Sequence, residues 1–144
     1  MNLLAQYPAL ATLGVVWCVL VLKMLAVGMW TSRHRIRAKR FATPEDTLLI
    51  AGATTDRHPD VERARRAHRN DLENVLPFFG VALCFALTRP SATAATIYFW
   101  GFAAARIAHS IFYLRGTQPH RTAAYTVGWV LTLAMTLQTL SRLA

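Results

Sequence analysis

Acidic residues are scarce in this 144-residue chain and they stop early: there are seven, and none lies beyond Glu73. Cysteine is scarcer still. Cys18 and Cys84 are too few for a disulfide scaffold. Charged residues make up only 16% of the chain against 54% hydrophobic ones, which excludes a disordered polypeptide. No basic segment precedes the first apolar run, and that run exceeds the apolar region of a cleaved signal peptide. It is expected to remain as a membrane anchor, with insertion as its only address. What the chain has in excess is positive charge, a formal +9 on a mean hydropathy of +0.30. That hydropathy disfavours a solvated DNA-binding domain. Basic and aromatic residues are also not interleaved, so nucleic acid is not an expected partner.

The charges are segregated. Ten of the sixteen Lys and Arg residues fall between Arg33 and Arg69, and five Arg residues follow Glu73 without an acid. Between and around them lie four segments suited to crossing a bilayer, which takes about 20 mostly apolar residues as a helix. They are about 8–30, 72–88, 92–114 and 122–141, giving an all-α integral membrane four-helix bundle of one domain over 1–144. The stretch 31–71 and the short 115–121 share one side. That side carries twelve Lys or Arg residues and the opposite side two, Arg89 and Arg142. By the positive-inside rule the basic side is cytoplasmic. Both cysteines fall inside spans, where a thiol in apolar surroundings is ordinarily an inert packing residue.

The entrance to the second span holds more polar chemistry than solvation requires. Pro59 and Asp60 supply a helix start, with Asp60 a candidate N-cap. At helical spacing Glu62, Arg66, Arg69, Asn70 and Glu73 share an arc of about 100°. Pairs at i,i+4 are available between Glu62 and Arg66 and between Arg69 and Glu73. Such pairs explain the exposed turns but not Asn70, Glu73 and Asn74, which run directly into Val-Leu-Pro-Phe-Phe. A carboxylate at that depth is paired or functional. Pro77 frees the carbonyl of residue 73, which suits either a cavity wall or a packing kink.

The third span carries Arg106, His109, Ser110 and Tyr113 on one arc. An arginine there should face the bundle interior and meet an acid. Since no acid follows Glu73, the partner is Asp71, Glu73 or the Glu45–Asp46 pair, and a structural role is favoured for Arg106. On the fourth span Arg121, Tyr125, Gly128, Thr132, Thr136 and Thr139 form a stripe. Below Gly128 it reads as close helix packing. At the top, Arg121 and Thr122 beside a helix N-terminus suit an anion. The cytoplasmic ends thus offer cations, amides, hydroxyls and one deep carboxylate. Their complement is a small molecule with several carboxylates, one ammonium and a reactive group, and glutathione has this pattern.

At these residues the chain resembles the membrane-associated proteins in eicosanoid and glutathione metabolism. The run Val61 to Phe78, VERARRAHRNDLENVLPF, is similar to the family's ER-x-x-RAH-x-NDxE motif. Lys23-Met24, the FATPED run from Phe41 to Asp46, the ARIAH run from Ala105 to His109 with Tyr113, and the QPHR run from Gln118 to Arg121 match in order. The resemblance implies a homotrimer that holds glutathione between neighbouring subunits near the cytoplasmic face. It implies that Arg69, Asn70, Glu73, His109, Tyr113, Arg121 and Tyr125 contact glutathione, with Arg66 and His68 lining the site. Arg35 would reach it from the neighbouring subunit, and Asp46 would orient Arg121. Arg121 and Thr122 would act on the thiol. No metal is implied.

The chemistry is coherent on its own terms. A free thiol has a pKa near 8.5, and an adjacent guanidinium lowers it. The thiolate would attack a lipophilic electrophile or peroxide arriving through the bilayer. The expected activity is therefore a glutathione transferase, with glutathione peroxidase activity. The order RAHRND and the hydroxyl of Thr122 resemble the prostaglandin E synthase branch, which leaves a glutathione-dependent isomerase as an alternative. Asp71 to Asn74 and QPHR resemble the microsomal glutathione transferase branch, and Trp129 replaces a polar residue of the synthase pattern. A non-catalytic glutathione- or lipid-binding scaffold is the remaining alternative, and the retention of Arg121, Glu73 and Asn70 argues against it.

Overall fold

The computed structural model describes residues 3–144. Among them every regular element is helical: α1 (Leu3–Gln6), α2 (Ala9–Ala38), α3 (Pro44–Thr47), α4 (Pro59–Leu87), α5 (Ala92–Arg115) and α6 (His120–Leu143). The four long helices share one core. α4 and α5 pack on each other and each touches both α2 and α6, whereas α2 and α6 lie on opposite sides of that pair. Leu13, Val16 and Leu20 of α2 meet Val75, Phe78, Ala82 and Phe85 of α4 and Phe99 and Phe102 of α5. Phe78 and Phe102 stack with ring centroids 3.7 Å apart, which locks α4 to α5 at mid-height. Gly128 faces α5, where an added Cβ would stand 3.6 Å from Arg106 Cδ, and Gly101 of α5 meets α6 more tightly, an added Cβ standing 3.0 Å from a Leu131 methyl.

Local chemistry sets the ends. α2 stops at Lys39, which takes the left-handed conformation (φ 53°) and donates its N–H back to the carbonyls of Arg35 and Ile36. α5 begins at Ser91, whose Oγ accepts from the Ala94 N–H at 3.2 Å, and ends at Gly116 with φ 69°. α4 begins two residues earlier than an N-cap at Asp60 would place it. His58 is the N-cap and Pro59 the first helical residue, so Asp60 sits in the first turn without capping.

Among the described residues three helices, α2, α4 and α6, are long and apolar enough to cross a membrane. This differs from expectation at the third span. α5 has 24 residues, a length of about 36 Å, but Arg106 and His109 lower its hydropathy. Both side chains are buried against neighbouring helices rather than turned outward, so a composition window undercounts the helix. The stretch 31–71 also differs from a simple connection. α2 continues to Ala38 and α4 starts at Pro59, so only 39–58 is irregular apart from α3. Main-chain bonds of 3.0 Å from Thr54 N–H to Lys39 O and from Phe41 N–H to Thr54 O close its base. Its tip exposes Leu48 and Leu49, at 86% and 81%.

The cysteines are the other correction. Cys18 and Cys84 lie within α2 and α4 but face outward from the isolated chain. Each occupies a rotational position away from the core stripes Leu13-Val16-Leu20 and Phe78-Ala82-Phe85.

Candidate active site

The site is built on a buried ion cluster. Asp71 of α4 is fully buried at 0% exposure and is approached from two other helices. Arg106 Nη2 of α5 donates to Asp71 Oδ1 at 2.8 Å, Lys23 Nζ of α2 forms a second ion pair with the same oxygen, and Ser110 Oγ donates at 3.3 Å to Oδ2. Of the three acids available to Arg106 in the sequence, Asp71 is the one it meets. The expectation that this arginine faces the bundle interior and meets an acid holds: it ties α5 to α4 at a depth where an unpaired charge would be severely penalised.

Above this cluster, towards the C-terminal end of α5, lie the aromatic and cationic groups. His109 is buried at 3%. Its ring centroid stands 5.5 Å from Tyr113 and 6.0 Å from Tyr125 of α6. The Arg121 guanidinium covers the Tyr113 ring at 4.6 Å, a cation–π contact that holds the charge over α5. α6 starts at His120, so Arg121 and Thr122 occupy its first turn, at the positive end of the helix dipole, which favours an anion.

Gln118 completes this corner. A guanidinium has only donors, so the amide oxygen must face it. In that orientation Gln118 Oε1 accepts from Arg121 Nε at 3.2 Å and Nη2 at 2.5 Å, and its amide nitrogen donates to Thr122 Oγ1 at 3.0 Å. One side chain thereby sets both residues expected to act on the thiol. Gln118 carried no role in the sequence reading although it begins the QPHR run. Its spacing of three and four residues from Arg121 and Thr122 was the available signal.

Two of the clefts beside α4 gather most of the expected site residues. One lies between α4 and α6, with a volume of about 340 Å³, lined by Asn70, Glu73, Asn74, Pro77, Tyr125, Trp129 and Thr132. The other lies between α2 and α4, also about 340 Å³, and Arg35, Arg65, His68 and Arg69 line it with Thr31 and Ser32. The expected site residues therefore divide. Asn70, Glu73 and Tyr125 share the first cleft, and Tyr125 links it to His109, Tyr113 and Arg121. Arg35, His68 and Arg69 share the second. Arg66 is exposed and lines neither. Asp46 makes no ion pair with Arg121 among the described residues of one chain. It lies on α3, in the connection that ends at Leu48 and Leu49.

The two expected i,i+4 pairs are absent. Glu62 instead pairs with Arg65 at 3.0 Å, and Asp60 with Arg63 at 3.4 Å, both at i,i+3. Arg69 and Glu73 form no ion pair with each other, which leaves both charges to their clefts. Asn74, Trp129 and Thr132 join the α4–α6 cleft without having been singled out as contacts. They are one turn beyond Asn70, Tyr125 and Gly128, on the same faces.

Comparison with known proteins agrees with the motif reading. Residues 13–141 match the model of the MAPEG family. The chain is 37% identical over 141 residues to a human protein named prostaglandin E synthase, covering 96% of this chain and 93% of the relative. It is 39% identical over 126 residues to human microsomal glutathione S-transferase 1, covering 81% and 79%. A horse prostaglandin E synthase is 40% identical over 122 residues, covering 83% and 80%. With the family model matched over residues 13–141 and each of these relatives covered over at least 79% of its length, the chain belongs to the MAPEG family.

Proposed function

We propose that this chain is a glutathione-dependent membrane enzyme, a transferase with peroxidase activity towards lipophilic electrophiles. The observation that carries the reading is the corner formed by Arg121, Thr122 and Gln118 above Tyr113. It places a fixed guanidinium and a hydroxyl side by side in the first turn of α6. The guanidinium stabilises the thiolate of glutathione over the thiol, and the Thr122 hydroxyl donates a hydrogen bond to the sulfur. The thiolate then attacks an electrophilic carbon, a carbon–sulfur bond forms, and the leaving group departs with the bonding pair. With a hydroperoxide it attacks the distal oxygen instead, releasing the alcohol, and a second glutathione converts the sulfenic acid to the disulfide and water. A substrate dissolved in lipid reaches this corner from the side, past Trp129.

The two clefts support a trimer. Arg35, His68 and Arg69 lie on the α2 side of each subunit, and Glu73, Tyr125 and Arg121 on the α6 side. Head-to-tail association brings one subunit's α2 edge to the next one's α6 edge, and such a heterologous contact closes as a ring. In that arrangement Arg35 reaches a neighbour's glutathione. Asp46 is carried on the same connection as the uncovered Leu48 and Leu49, and it approaches a neighbour's Arg121. We take α5 as the fourth span, because its charges are neutralised inside the bundle. The basic ends of α2 and α4 then face the cytoplasm.

The test is a panel on the detergent-solubilised protein. Rapid mixing with glutathione is expected to raise ultraviolet thiolate absorbance, and Arg121→Ala to abolish the rise. Conjugation of a chlorinated nitroaromatic is expected in the same preparation. No conjugate and no thiolate would overturn the transferase. Turnover of a prostaglandin endoperoxide without conjugation would replace it with the isomerase suggested by the named synthases. Tight glutathione binding with no turnover at all would leave the scaffold.

A further inference from the structure

Arg106 does more than neutralise Asp71. Its Nη2 also donates to Asn70 Oδ1 at 2.8 Å and to the Asn70 main-chain carbonyl at 3.3 Å. The guanidinium is buried at 1% exposure and clamped to Asp71, so it is a fixed donor. A primary amide presents an acceptor oxygen on one side and a donor nitrogen on the other. With its oxygen held on Arg106, Asn70 turns its nitrogen away from that guanidinium, and Asn70 is a wall of the α4–α6 cleft. Asn74 is set in the opposite sense. Its Nδ2 donates to the Asn70 carbonyl at 2.7 Å, which leaves Asn74 Oδ1 as the free acceptor. Glu73 adds a carboxylate to the same cleft.

The wall is therefore ordered: a donor from Asn70, an acceptor from Asn74 and an anion from Glu73. A donor suits a carboxylate, and an acceptor beside an anion suits an ammonium. The two together match the zwitterionic head of an α-amino acid. We propose that Arg106, anchored by Asp71, is a positioning residue that fixes the Asn70 amide nitrogen towards the cleft. It thereby sets recognition of the α-amino-acid end of glutathione, its γ-glutamyl head. This inference rests on the glutathione reading and specifies which end of the peptide enters the α4–α6 cleft. Without the clamp the amide is free to turn over, and its oxygen would then repel the incoming carboxylate.

The experiment compares two ligands and four proteins. Glutathione and an analogue lacking only the γ-glutamyl α-carboxylate are titrated calorimetrically into wild type, Arg106→Lys, Asn70→Ala and the double variant. Fold is monitored by thermal unfolding. Wild type is expected to prefer glutathione over the analogue about tenfold or more, the value of one hydrogen bond to a charged group. Asn70→Ala is expected to erase that preference, Arg106→Lys to reduce it, and the double variant to match Asn70→Ala. The KM for glutathione is expected to rise in Arg106→Lys more than kcat falls. A preference unchanged in a folded Arg106→Lys protein, or losses that multiply in the double variant, would overturn the proposal. If Arg106→Lys does not fold, Asn70→Asp carries the test, because it keeps an acceptor for Arg106 and removes the donor. A lost preference then supports the proposal and an unchanged one defeats it. Failure of wild type to bind glutathione at all would remove the functional reading itself. Binding that is indifferent to these variants removes only the role of Arg106.

Discussion

Asp71 is the one buried carboxylate among the described residues, and two cations depend on it. Asp71→Asn would leave Lys23 and Arg106 facing each other without a counter-ion. We expect a loss of about 3–5 kcal/mol of stability, the usual consequence of removing one partner from a buried pair. Thermal unfolding in detergent measures it. Gln118→Leu is expected to act differently. It leaves the core intact but frees Arg121 and Thr122, lowering the conjugation rate roughly tenfold for about 1.4 kcal/mol of lost orientation. Steady-state kinetics beside an unchanged melting curve would show it. Much of this was legible at the residue level. The absence of acids beyond Glu73 forced Arg106 to look back to a short set of partners. Choosing among them was not possible, because Asp71 and Glu73 lie about 200° apart on a helix, and only the packed rotation of α4 decides which faces α5. Glu62 shows the same limit at the surface, where spacing allowed i,i+4 and the rotamers gave i,i+3.

Gly128 of α6 faces Arg106, Ala105 and Phe102 of α5. A methyl group there would meet Arg106, Ala105 and Phe102 at ordinary contact distances of 3.6–3.8 Å. Gly128→Ala should therefore stay within about 1 kcal/mol of wild type, helped by better helix propensity. Gly128→Val, branched at Cβ, has to displace the Arg106 stem and should lose roughly 1–3 kcal/mol by overpacking. Differential melting of the two variants tests whether this glycine serves the arginine. At this scale four helices were legible from apolar runs, and their register was legible from Arg106, His109 and Tyr113 sharing an arc. Two things were not. Hydropathy cannot register that α5 hides its charges, since neutralisation is a property of the neighbour that supplies the acid. Nor could it register that α2 extends as a helix into the basic stretch as far as Ala38, where backbone hydrogen bonds continue regardless of polarity; the polar start of α4 was legible only from its start signals at Pro59 and Asp60.

The molecule as a whole carries its two groups of expected site residues in clefts on opposite edges. If the working enzyme joins them between subunits, co-expressed chains carrying Arg35→Ala and Arg121→Ala should regain part of the activity that each lacks alone. Activity of the purified mixed oligomers would show it, and no recovery would place the whole site within one subunit. The resemblance set only Arg35 apart, by assigning it to a neighbour, whereas in one chain His68 and Arg69 share the α2–α4 cleft with it. It named Asn70 without the orientation of its amide and left out Gln118, because which atom of an amide faces which donor is set by the packed neighbours. The shared carboxylate also has a consequence for biogenesis. A nascent chain delivers Lys23 to the bilayer first, Asp71 second and Arg106 last, so each cation's passage depends on an acid carried by α4. α5 presented to the translocon alone should integrate poorly, should integrate well behind an intact α4, and should fail again behind one bearing Asp71→Leu. Glycosylation tags placed on either side of α5 would report which of these happens.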